Sequence, residues 1–123
     1  MHIINEIIDS ILEMLNKQQD QLGEKEIINY LDYRDTSPFD EKWVKSYENV
    51  NSIKSNKDES FLNNEKNLRE KVFKNVARIT NNYELAEYIS DDAGLIYSVY
   101  YFNTNDKFIK ELYSYYKVGE LPK

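Results

Sequence analysis

Residues 84–103 read ELAEYISDDAGLIYSVYYFN and hold the side chains best suited to chemistry in this chain. Residues 83–104 carry four acids and no base, a local charge of −4. Glu84, Glu87 and Asp91 are spaced i, i+3, i+7, so on one helix they share a face. Asp92 doubles the negative charge at its end. Such a stripe matches lysines and arginines of another protein, through charge-assisted and often bidentate hydrogen bonds. Tyr88 or Tyr97 would stand beside it as an aromatic anchor, a side chain enriched at protein interfaces. The partner-binding set expected from the sequence is therefore Glu84, Glu87, Tyr88, Asp91, Asp92 and Tyr97. A merely solvated helix face is the competing and commoner explanation of any charge run. Two adjacent carboxylates inside an apolar pattern also need exposure, a cap or a partner. The expectation is that Ser90 or Asp91 caps a new helix through LIYSVYYF, with the chain kinked there.

Other chemistries lack their residues. There is no cysteine, and the one histidine, His2, lies in a terminus expected to fray. That removes thiol nucleophiles, most imidazole acid–base chemistry and nearly all zinc sites. Asp91 and Asp92 are too close in sequence to flank a sugar from two sides. No glycine-rich phosphate loop, nucleophile elbow or metalloprotease motif occurs. The expectation is no catalysis, no cofactor and no metal. The net charge of −6 argues against direct binding of nucleic acid or an anionic membrane, and for a basic protein partner. No apolar run approaches the length of a membrane span. HIINEIIDSIL carries acids inside its apolar pattern, so it reads as an amphipathic helix and not as a signal peptide, and a cytosolic location is expected.

The elements that must position these residues all read as helices. With 41% apolar residues, three glycines, two prolines and no sustained alternation, residues 1–123 are expected to form one all-α domain, a bundle of about six helices. The first places Ile4, Ile7, Ile8, Ile11, Leu12 and Leu15 on one face and stops at Gly23. A short second helix through EKEIINYLDY turns Ile27, Ile28 and Leu31 inward. Ser37-Pro38-Phe39-Asp40 reads as a capped start for a third helix, with Trp43, Val44 and Tyr47 inward and an end near Ile53. Asn56, Asp58 or Ser60 would cap the fourth, striped by Leu68, Val72, Phe73, Val76 and Ile79 and ended by Asn81-Asn82. The acidic stretch is the fifth element. The sixth runs from about Asp106 to Lys117 with Phe108, Ile109, Leu112, Tyr113 and Tyr116 inward, before Gly119 and Pro122 close the chain.

Charge is uneven along this path. Residues 1–35 carry eight acids and three bases, net −5, while residues 61–82 carry two acids and five bases, net +3. Neighbouring helices could cancel part of this charge. Eleven tyrosines are many for the length, and they crowd the C-terminal third. Most belong in a core with the hydroxyl at its rim.

From about residue 68 onward the chain resembles small helical bacterial immunity proteins, the antidotes of contact-dependent growth inhibition and other polymorphic toxin systems. The residues carrying the resemblance are ELAEYISDDAGLI (84–96) and KFIKELYSYYKVGELP (107–122). They pair an acidic dipeptide and an apolar helix with a last helix that ends in a Gly-x-x-Pro tail. The resemblance implies a cytosolic protein that binds and neutralises a cognate toxin domain, typically a basic nuclease, without catalysis of its own. Two other readings stand beside it: a phage-encoded inhibitor of a host defence nuclease, with the same physics and a different partner, and a helical adaptor or regulatory protein whose acidic face is only solvation.

Overall fold

The computed structural model describes residues 2–53 and 58–123. Six α-helices follow in order: α1 His2–Gln18, α2 Glu24–Arg34, α3 Phe39–Ile53, α4 Glu59–Thr80, α5 Tyr83–Tyr101 and α6 Lys107–Lys117. One 3-10 turn, Gln19–Gln21, joins α1 to α2. The all-α expectation holds, and among the described residues there is no strand. No helix there is long and apolar enough to cross a membrane.

Helix α5 is the axis of the bundle. It lies longest against α4, and it also touches α1, α3 and α6. Leu85, Ala86, Ile89, Ala93, Ile96 and Tyr97 are fully buried along it. Helix α1 closes one side with Ile7, Ile11, Met14 and Leu15, while Ile4 and Leu12 sit at the edge of the core. Helix α4 supplies Phe61, Leu68, Val72 and Val76, and α6 supplies Ile109, Leu112, Tyr113 and Tyr116. Phe108 is half-buried, edge-on to Phe39 with ring centres 5.4 Å apart.

Caps fix three helix starts. Asp58 accepts from the amide of Phe61, Asn82 from Leu85 and Asp106 from Ile109. Asn81 ends α4 in the left-handed region at φ 56°. Asn56, the other cap considered for α4 besides Ser60, lies outside the described residues.

Several sequence expectations change. Gly23 is not the stop of α1, which ends at Gln18; its extended backbone is the N-cap of α2. The Ser37 hydroxyl donates to the Glu41 carboxylate instead of accepting from a helix amide, and α3 begins after Pro38. Ile28, Val44 and Tyr47 are 50%, 40% and 43% exposed. Ile27 and Leu31 are buried as expected and their line continues to Arg34 on α2, while on α3 the buried line runs through Phe39, Ser46 and Val50. Ile28 and Val44 lie about 100° around their helices from Ile27 and Trp43, because each residue turns the helix by that amount.

Candidate partner-binding face

The adjacent acids of α5 have opposite fates. No helix starts at Ser90 or Asp91: α5 runs unbroken from Tyr83 to Tyr101, and the Ser90 hydroxyl donates to the Glu87 carbonyl within it. Successive positions of a continuous helix differ by about 100°, so one carboxylate faces out and the next faces in. Asp91 meets Arg69 of α4 at the surface. Asp92 is 0% exposed.

Asp92 is paired on every side. Arg34, itself 5% exposed, donates to both of its oxygens at 2.8 Å. The Trp43 indole N–H donates to Oδ1 at 2.9 Å, and the Tyr116 hydroxyl donates to Oδ2 at 2.6 Å. One carboxylate thus joins α2, α3, α5 and α6. The Arg34 guanidinium lies 4.6 Å from the Phe39 ring centre and 5.3 Å from that of Tyr88. Tyr30 donates to the Pro122 carbonyl at 2.9 Å, which ties the chain end to the same cluster.

Above this cluster the surface opens as a cleft of about 120 Å³. One wall comes from the α2–α3 corner, with Asp35, Phe39, Asp40 and Trp43. The other comes from α5, with Tyr88 and Asp91, and Arg34 forms part of the lining. The Tyr88 hydroxyl donates to Asp35 across the gap. A second groove adjoins it, sharing Trp43 and Asp91 and reaching Tyr47, Arg69 and Gly94. Tyr47 stacks on Trp43 at 5.5 Å and 13°. Gly94 leaves the stem of Arg69 its path to Asp91, since a Cβ there would stand 3.0 Å from Arg69 Cδ. The face therefore combines carboxylates with flat aromatic surfaces, the chemistry that receives a cationic side chain.

Of the six residues singled out from the sequence, Glu84 and Glu87 are exposed, and Tyr88 and Asp91 are half-buried on the same side of α5. Two do not reach the surface. Asp92 is consumed by the buried cluster. Tyr97 is fully buried and stacks flat on Phe61 at 5.4 Å, so it is a core ring and not an accessible anchor. The stripe is also less bare than expected, because Arg69 from the basic helix neutralises part of Asp91. Asp35, Asp40, Trp43 and Arg34 were not grouped with the stripe, since they belong to another part of the chain. The available signal was Arg34 itself, which continues the inward line of Ile27 and Leu31 at i, i+4, i+7.

The cluster shifts its members in consistent directions. Burial works against the charge on Arg34, but the adjacent Asp92 carboxylate outweighs it and holds the guanidinium above its ordinary value. Burial raises both Tyr30 and Tyr116; the negative charge of Asp92 adds to each, and the positive charge of Arg34 opposes. The hydrogen bond to Asp35, with some burial, has the Tyr88 hydroxyl pushed up to about 12. Burial raises Asp91, with Arg69 opposing. A tyrosine raised in the folded state favours folding fully below the unfolded value of about 10, and that contribution is lost as pH climbs through the raised value. The urea midpoint is accordingly expected to fall as pH rises above about 10. The fall should be shallower in Tyr116→Phe; equal slopes in the two proteins would exclude this origin.

Residues 4–123 match the family described as Immunity protein PIM1. The chain belongs to this immunity protein family. No curated protein matches it. The family match includes the N-terminal half, where the sequence resemblance was silent and where Arg34, Asp35, Asp40 and Trp43 lie. For an immunity protein the implied partner is a toxin.

Proposed function

We propose that this immunity protein neutralises a basic toxin domain of nuclease type in the cytoplasm, by binding alone and without catalysis. The toxin docks on the acidic and aromatic face formed by the α2–α3 corner and α5. The observation that carries this reading is the cleft itself, where Asp35, Asp40 and Asp91 surround Tyr88 and Trp43, with Glu84 and Glu87 exposed along the same helix. Lysines or arginines of a phosphate-seeking toxin surface fit these groups, and covering that surface would block its substrate. Complementary charge also speeds encounter, so the toxin is caught before it acts. Membership in an immunity family favours this over a phage-encoded inhibitor or an adaptor.

The test uses the toxin domain encoded by the neighbouring gene. Co-expression of the immunity protein should protect cells from it. Asp40→Lys and Glu87→Lys should each slow association about tenfold at low salt, with the difference shrinking as salt is added. Both sites are exposed, so folding stability should stay within about 0.5 kcal/mol of wild type. If both folded variants keep the affinity and salt dependence of wild type, the face is wrong. The acids of the N-terminal helices, around Glu13, Asp20 and Glu24, would then be the next surface to test.

A further inference from the structure

We propose that Asp92 is a positioning residue that clamps the α2–α3 arm onto α5 and so sets the two walls of the cleft before any partner arrives. The inference rests on the cleft reading for its functional consequence, though not for its geometry. The walls come from distant parts of the chain, residues 35–43 on one side and 88–91 on the other. Backbone packing joins them over short stretches: α3 lies against α5 and α6 and α2 against α3, each less broadly than α4 lies against α5. Directional bonds span the gap instead. Arg34 brings the end of α2 to Asp92, Trp43 brings α3, and Tyr116 supports the carboxylate from α6. Both oxygens accept two hydrogen bonds each, so the carboxylate is satisfied only in this one arrangement.

Stability alone does not explain such a group. Replacing a buried ion pair by well-packed apolar side chains is often neutral or stabilising, because desolvation cancels most of the attraction. Apolar residues, however, tolerate sliding, whereas a four-bonded carboxylate fixes register. Arg34 completes the link to the surface: its guanidinium lies against Phe39 and Tyr88, one from each wall. Seating Arg34 on Asp92 therefore sets the spacing of the walls.

Hydrogen exchange of the free protein tests the clamp without a toxin. In Asp92→Asn, amides of α2 and the first half of α3 should exchange more than about tenfold faster, while those around Val72 and Val76 of α4 stay near wild type. The combined variant Arg34→Met, Asp92→Leu, Tyr116→Phe, which buries no unpaired charge, should melt well above Asp92→Asn yet show the same selective loosening. Should Asp92→Asn fail to fold, Tyr116→Phe gives the same pattern more weakly. Arm and α4 amides changing in step, or an arm as protected in the combined variant as in wild type, overturns the proposal and leaves Asp92 an ordinary core residue. Affinity for the neighbouring gene's toxin domain then separates the two ideas. Selective loosening with lost affinity supports both the clamp and the cleft. Selective loosening with unchanged affinity supports the clamp and overturns the cleft reading.

Discussion

Asp92→Ala is expected to lower folding stability by about 3–5 kcal/mol, against about 0–1 kcal/mol for Asp91→Ala one position away. The two residues share chemistry, helix and local sequence, so only their surroundings separate them. Alanine at 92 leaves the Arg34 guanidinium, 5% exposed, without its counter-charge. It also removes the acceptor of the Trp43 indole and of the Tyr116 hydroxyl. A buried charge stripped of its partner costs far more than the pair contributes when intact. Asp91 and Arg69, by contrast, keep 41% and 47% of their side-chain surface in water, where solvent replaces the lost contact. Urea titration of both variants, followed by far-UV circular dichroism, gives the comparison. Similar losses in the two would mean that Asp92 is hydrated and the buried cluster does not form. Trp43 is the one tryptophan, so its fluorescence reports directly on the cluster in the same titration.

The α-helical architecture was legible because apolar spacing dominates it. The stripes of α1, α4 and α6 lie where the i, i+3, i+4 pattern puts them, and Asp58, Asn82 and Asp106 cap as their residue types suggest. The fate of Asp91 and Asp92 was not read, for a definite reason. A charge run invites the view that all its members face water, and a cap explains a pair of acids locally. Yet Leu85, Ile89, Asp92, Ile96 and Val99 form an unbroken inward line at spacings of three and four. Asp92 is the acid inside that line, and Arg34 is the base at the end of the corresponding line on α2. Two opposite charges, each alone on a buried stripe, require one another. That argument needs both helices at once, and a segment-by-segment reading has only one. The surface half of the site was legible to the extent that it sits on α5. Asp35 and Asp40 join it only through tertiary packing, from more than 50 residues upstream of Asp91.

The tyrosine excess raised the same ambiguity between core and interface, and Phe61→Ala resolves it at the other end of α5. That substitution is expected to cost about 3–5 kcal/mol, as for other fully buried phenylalanines. Phe61 is 0% exposed and sits at the start of α4. It stacks on Tyr97 at 5.4 Å and meets Tyr101 and Phe102 at 4.9 Å. Removing its ring would leave a void under three others and loosen the α4–α5 seam, the broadest in the bundle. Tyr97 and Tyr101 lie about 9–15 Å along the helix axis from Asp91, at about 1.5 Å per residue. The cleft should therefore keep its shape. Below its lowered melting temperature, Phe61→Ala should bind the toxin domain as tightly as wild type, in contrast to Asp92→Asn at a similar loss of stability. Stability is read by urea titration and affinity by calorimetry. A loss of affinity in Phe61→Ala as large as that of Asp92→Asn would show that any weakening of the bundle impairs binding, and that the tyrosines of the C-terminal third take part in the interface after all.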